Sequence, residues 1–362
     1  MSISLKPGVV TGKEYLSLVR ACKEGGYALP AVNVTGTNTL NAVLEAAAAN
    51  KSDVVIQLSN GGAEFYAGKG FPDSLQAKIM GAVAAAHHVH LLAEHYGVCV
   101  VLHTDHANKK LIPWVEGMLD HGEAYYKKHG RPLFSSHMVD LSEEPLEENL
   151  SECARLLKRM AAIDMSIEIE LGCTGGEEDG VGSDDIDNSR LYTQPEDVLR
   201  AYDVLSPIGN FSVAASFGNV HGVYAPGNVQ LRPDILKNSQ DLVAKEKALG
   251  KNPLDLVFHG GSGSEKSKID ESLTYGVFKM NIDTDTQFAF AHAIGDYVKE
   301  HPVAFAHQID PDSGKPYKKE YDPRTWLRVG EKGMIERLGE AFADLKSAGK
   351  SVASPVAGSK AA

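Results

Sequence analysis

The chain has little that would tie it to a nucleic acid, a membrane or an oxidising compartment. Its 36 Lys and Arg are outnumbered by 48 Asp and Glu, for a formal net charge of −12. It therefore carries no electrostatic footprint for a polyanion. No apolar stretch approaches a membrane span, and the opening MSISLKPGVVTGKEY lacks the apolar centre of a secretion signal. Cysteine is scarce: Cys22, Cys99, Cys153 and Cys173 stand far apart with no CxxC pair, the usage of reduced thiols in a cytoplasmic protein. The negative surplus has a corollary. An anionic small molecule would need a locally positive pocket, made by a metal ion, by Arg or Lys, or by exposed backbone N–H groups.

What is present is alternation. Short apolar, β-branched runs at 29–34, 53–59, 98–106, 135–141, 165–172, 211–218, 255–263 and 277–285 read as strands. Helix-like segments at 37–50, 73–96, 109–129, 145–162, 195–205, 233–249, 265–275 and 284–300 separate or follow them. Near-continuous apolar runs predict a parallel sheet covered on both faces. Eight such units predict an α/β fold, a (β/α)8 TIM barrel, with a doubly wound sheet as the alternative. The expected organisation is a single barrel domain over 1–349 with loop insertions. The Gly-rich acidic loop 172–190 is expected to be mobile, 301–324 reads as a Pro-punctuated insertion, and 350–362 as a frayed tail.

Nearly every strand run ends in polar or Gly residues: Asn33, Ser59, Asp105 and His106, Asp140, Glu170, Gly218 to His221, His259 to Ser264, and Asn281 to Asp285. In a parallel barrel these ends share the face where active sites sit. Three of them supply a histidine: His106, His221 and His259. Three neutral imidazoles with one open position suit a catalytic zinc, whose uncompensated charge attracts an oxyanion. His103 competes with His106, because strand side chains alternate faces. The regular reading points His103 and Asp105 one way and His106 the other, unless the chain bends. The histidine-dense stretch 84–96 matches neither H-E-x-x-H nor H-x-x-E-H and reads as packing and surface residues.

The run HGGSGS after strand seven and NIDTD after strand eight occupy the common barrel phosphate position, where backbone N–H groups cradle an anion. Ser262 would add a hydroxyl, and Arg324 is a candidate second cationic anchor. Asp105 suits acid–base work beside a ligand. Asp140 and Glu170 could hold a second cation or orient the histidines. Asp283 is a further strand-end carboxylate. Glu177 and Glu178 lie in the acidic loop, which could swing in and exclude water. Lys279, in VFKMNID, is the best lysine for a Schiff-base route, although an outward-facing structural role fits it better.

Several blocks in order, LHTDHANKKLIPW, FSSHMVDLSEE, EIELGCTGGEEDGV, LYTQPEDV, AASFGNVHGVYAPGNV, FHGGSGS, KMNIDTDTQ and YDPRTWLR, resemble the class II fructose-bisphosphate aldolases from about residue 10 to 345. The acidic loop resembles the class IIA branch. The resemblance implies a zinc-dependent barrel enzyme, usually a homodimer, acting on small sugar phosphates with no nucleic-acid or membrane partner. It would reversibly split fructose 1,6-bisphosphate into dihydroxyacetone phosphate and glyceraldehyde 3-phosphate, a step of glycolysis and gluconeogenesis.

Carried over residue by residue, His106, His221 and His259 match the zinc ligands, Asp105 the acid–base group and Glu178 the loop base. Asp140 and Glu170 match a second metal position. Gly222, Gly260, Gly261, Ser262, Asn281, Ile282, Asp283 and Thr284 match the dihydroxyacetone phosphate site, with Asn281 also among the catalytic set. Asn33 and Ser59 match polar contacts, and Arg324 the other phosphate anchor. A K+ or Na+ ion near the first phosphate is also implied. The rivals are a related zinc aldolase acting on tagatose or sedoheptulose bisphosphate, the Schiff-base aldolase, a zinc hydrolase, and a metal-binding protein without turnover.

Overall fold

The computed structural model describes residues 3–172, 175–178, 181–182, 192–221 and 231–355, with the backbone alone of 175–178, 181–182 and 220–221. Among the described residues the strands are β1 (Gly8–Val9), β2 (Leu29–Asn33), β3 (Val54–Leu58), β4 (Cys99–Thr104), β5 (Ser136–Val139) and β6 (Ser166–Leu171). They continue with β7 (Gly175–Glu178), β8 (Val181–Gly182), β9 (Phe211–Ala215), β10 (Val220–His221), β11 (Leu256–Phe258) and β12 (Val277–Asn281). The main sheet runs β1-β4-β3-β2-β12-β11-β9-β6-β5, all neighbours parallel. Its two sides meet where Ser135 N donates to Leu102 O at 2.8 Å and Leu102 N to Ser135 Oγ at 2.9 Å. The result is the expected (β/α)8 barrel, closed between β4 and β5 and carrying β1 as an extra strand low on β4. All eight expected strand runs are present, in trimmed form.

Every residue of β2, β3, β4, β5, β6 and β12 is buried, which is why these runs read as continuously apolar. Register then sorts the two faces. Lys279 pairs with Leu29, Asn281 with Ala31, Asn33 with Gln57 and His103 with Gln57, so these residues share the inward face. Low in the barrel that face is apolar. Leu29, Ala31, Val55, Val101, Ala214 and Val257 cluster with Tyr15, Leu18, Val19 and Cys22 of the helix Gly12–Gly25, which plugs the base. That helix was not expected, although Tyr15, Leu18, Val19 and Cys22 recur at helical spacing. High in the barrel, the same inward rows turn polar.

Two further differences from expectation concern the insertions and the tail. In the acidic loop, β7 pairs antiparallel with β8 and parallel with β10, a small second sheet above the barrel mouth. Residues 350–355 are held: Leu5 N donates to Val352 O and Ser354 N to Leu5 O, while Val352 N and the Ser351 hydroxyl both reach Asp53. Residues 356–362 lie outside the described residues. Helices Pro302–Ala306 and Lys318–Tyr321 give order to the insertion, which leads into the unexpected helix Pro323–Asp344.

Candidate active site

The polar rows converge at the C-terminal mouth, and the end of β4 shows how. His106 has φ 21, in the left-handed region that a non-Gly residue rarely occupies. The strand stops at Thr104 and the chain bends, so Asp105 and His106 do not alternate: both turn toward His259. One ligand atom each from Asp105, His106 and His259 lies within 4.8 Å of the others, and the two imidazoles meet edge to face at 4.7 Å. The strained backbone at His106 thus buys a donor set that regular strand geometry forbids.

Asp105 is fully buried and fixed by three side-chain amides. Asn33 Nδ2 and Gln57 Nε2 donate to its Oδ2 at 3.1 and 2.9 Å, and Asn281 Nδ2 donates to its Oδ1 at 3.2 Å. The amide oxygens of Asn33, Gln57 and Asn281 and the hydroxyl of Ser262 are buried without a protein partner among the described residues. Buried polar atoms of this kind fit a site built for a polar ligand.

His106 Nδ1 lies 2.9 Å from Asp140 Oδ2 and 3.5 Å from Glu170 Oε2, and these three residues form a second donor group within 4.8 Å. Burial works against ionisation of Asp140, but the His106 ring and both Ser142 donors outweigh it and bring the carboxyl down to about 2. His259 shows the same contest with the opposite sign. Burial alone would lower its pKa, but hydrogen bonds to Glu168 and Glu170 raise it to about 9. Imidazole nitrogens with carboxylate oxygens suit zinc and its divalent neighbours, so the donor chemistry fits a metal ion.

The phosphate-type loops sit beside this group. Gly261 N bonds Asn281 O at 3.1 Å, tying the GGSG turn to the end of β12, and Ser262 is buried. Gly260 has φ 61, and a Cβ on Gly261 would stand 2.6 Å from Met280 Cγ, so both positions call for glycine. Asp283 precedes helix Thr284–Glu300 and accepts from Asn33 at 3.4 Å and Gln287 at 2.8 Å. Ile282 is buried, and Ser59 caps helix Asn60–Ala67 through Gly62 N.

Other expected residues fare differently. His221 lies on β10 and Glu178 on β7, opposite Gly176 and Val181 respectively, and their side chains lie outside the described residues, as does all of Gly222. Arg324 opens helix Pro323–Asp344, 89% exposed, and forks onto Asp322; no described contact joins it to the cluster. Lys279 is corrected. It faces inward, not outward, because its register partner Leu29 does, and it donates to both oxygens of Glu168 at 2.8 and 2.9 Å. His103, buried, bonds Ser136 Oγ at 2.7 Å and lies 3.5 Å from Glu168, outside both donor groups. In helix Ser74–Tyr96, His88 bonds Asn41 and His90 bonds Leu133 O, away from the mouth.

Sequence reasoning missed Gln57 and Glu168. Each carries a faint signal: a lone amide inside the apolar DVVIQLS, and a carboxylate two residues before Glu170, hence on the same face.

Comparison with known proteins agrees with this geometry. The family profile described as fructose-bisphosphate aldolase class-II matches residues 13–350. The chain belongs to the class II fructose-bisphosphate aldolases. A protein of Edwardsiella ictaluri named fructose-bisphosphate aldolase is 56% identical over 345 residues, covering 94% of this chain and 96% of the relative. The fructose-bisphosphate aldolase class 2 of Escherichia coli K12 is 55% identical, covering 95% and 97%. The crystal structure of the Campylobacter jejuni fructose-bisphosphate aldolase superposes with TM-score 0.87 at 54% identity, covering 96% and 98%. The family is one of lyases that depend on a metal, and the two donor groups are where this chain could hold one.

Proposed function

We propose that the chain is a cytoplasmic, homodimeric zinc aldolase. It would reversibly cleave fructose 1,6-bisphosphate to dihydroxyacetone phosphate and glyceraldehyde 3-phosphate. The single observation that carries this reading is the meeting of Asp105, His106 and His259 donor atoms within 4.8 Å at the barrel mouth, beside a Gly-Gly-Ser turn in which Gly261 and Ser262 are buried. The names of the relatives support the substrate, and no helix among the described residues is long and apolar enough to cross a membrane. His106 and His259, with His221 as the third ligand, would hold the zinc; Asp140 and Glu170 could serve a second ion. When bound, zinc supplies a positive charge that stabilises oxygen atoms as negative charge develops on them.

The chain's own groups do the rest. Asp105, immobilised by Asn33, Gln57 and Asn281, moves a proton at the C4 hydroxyl or the aldehyde oxygen. Glu178 moves the proton at the ketone-phosphate carbon. Gly222, Gly260, Gly261, Ser262 and Asn281 to Thr284 would cradle one phosphate, and a K+ or Na+ ion held there would add positive charge. Arg324 would anchor the other. A Schiff base at Lys279 is disfavoured, because its amine is engaged twice by one buried carboxylate.

The experiment is an assay on fructose, tagatose and sedoheptulose bisphosphates before and after chelation, with metal content measured throughout. Activity on the fructose substrate should vanish on stripping and return with zinc. Borohydride with substrate should label no lysine. Full activity after verified metal removal overturns the proposal.

A further inference from the structure

We infer that Glu168 is a positioning residue for the metal centre: it fixes which nitrogen His259 presents, and Lys279 is its counter-ion. The inference rests on the reading of His259 as a metal ligand. Glu168 lies on β6, and three other inward side chains meet around its carboxylate. Oε1 accepts from His259 Nε2 at 2.9 Å and from Lys279 Nζ at 2.9 Å. Oε2 accepts from Lys279 Nζ at 2.8 Å and has His103 Nε2 at 3.5 Å. All four residues are 2% exposed or less, and His103 is braced in turn by Ser136 of β5.

An imidazole that donates through Nε2 can offer only Nδ1 to an ion. The Nδ1 of His259 faces the mouth, 3.6 Å from Glu170 Oε2, on the side where the His106 ring stands. The hydrogen bond to Glu168 therefore sets both the tautomer and the plane of the ring. Metal-bound imidazoles generally give their second N–H to a carboxylate or carbonyl, and loss of that partner weakens metal binding by about 10- to 100-fold. Lys279 accounts for the other half of the arrangement. A carboxylate this far from water needs a compensating charge. The ammonium bridges both oxygens yet leaves Oε1 a direction for the histidine.

The test uses zinc affinity, from competition with a chromophoric chelator, and the visible spectrum of the cobalt(II)-loaded protein. The pair Glu168→Leu and Lys279→Met removes both charges together, so no lone ion is stranded in the interior. It should lower zinc affinity about 10- to 100-fold and shift the cobalt bands. The pair Glu168→Gln and Lys279→Met restores an acceptor oxygen and should recover most of that loss. Equal affinities for both pairs, whether weak or unchanged, overturn the positioning role. In the unaltered zinc-loaded chain, nitrogen-15 NMR should find His259 protonated at Nε2 and bound through Nδ1; metal at Nε2 overturns it without any variant. If His259→Ala binds zinc as tightly as the unaltered chain, the ligand reading itself fails, and that outcome is distinct from the others.

Discussion

The lower and upper halves of the barrel interior are built on the same strands and obey opposite rules. Below, Leu29, Val55 and Val101 pack on the helix that plugs the base, and volume alone fixes their positions. Above, the inward residues at the tops of those strands are Asn33, Gln57 and His103, held by directed hydrogen bonds. Two buried carboxylates make the contrast sharp. Asp53, near the base, accepts from Cys99 N, Val352 N and the Ser351 hydroxyl, groups that complete the fold. Among the described residues Asp105, at the mouth, accepts from side-chain amides alone, and their own oxygens have no protein partner there. Burial by itself does not mark a functional acid. What sets Asp105, the proposed acid–base group, apart from Asp53 is the kind of donor that surrounds it.

This contrast can be broken most directly at Asp105. Asp105→Asn should lower kcat for sugar-bisphosphate cleavage by about 10^2- to 10^4-fold, with the melting temperature nearly unchanged. A collapse of the fold in a melting curve would move Asp105 into the structural class with Asp53. At the base the effects should reverse. Asp53→Ala strands two buried N–H groups and a hydroxyl, at a cost of about 3 kcal/mol in denaturant titration, while kcat/KM below the melting temperature stays as it was.

The smallest effect is one of pH. In the metal-free chain the neighbouring carboxylates keep His259 protonated up to about pH 9. A zinc ion held through His259, as proposed above, would have to displace that proton, so zinc affinity should rise about tenfold per pH unit from neutrality and level off near 9. A flat profile in a competition titration would remove His259 from the ligand set.

How far the sequence alone reached follows the same division. The eight strands were legible because buried parallel strands are apolar on both faces. The mouth was legible as a row of polar strand ends. The joint orientation of Asp105 and His106 was not, because it depends on one left-handed residue that no side-chain pattern announces. Glu168 was passed over, and Lys279 read as outward-facing, for a different reason: as neighbours in space from β6 and β12, they look like unrelated charges when read along the chain. Helix Pro323–Asp344 escaped notice because Gly330 and Gly333 interrupt it. Its neighbour explains them, since a Cβ on Gly333 would stand 2.7 Å from Ala289 O of helix Thr284–Glu300.

The closure between β4 and β5 carries a last consequence. Ser135 and Leu102 join the two edges low down, and higher up His106 belongs to one lip and Asp140 to the other. An occupant gripping both residues acts as a stitch across the barrel's seam. Amide hydrogen exchange along Leu102 and Ser135 should then slow when the centre is loaded, so that breathing of the whole cylinder is governed by what sits at its rim.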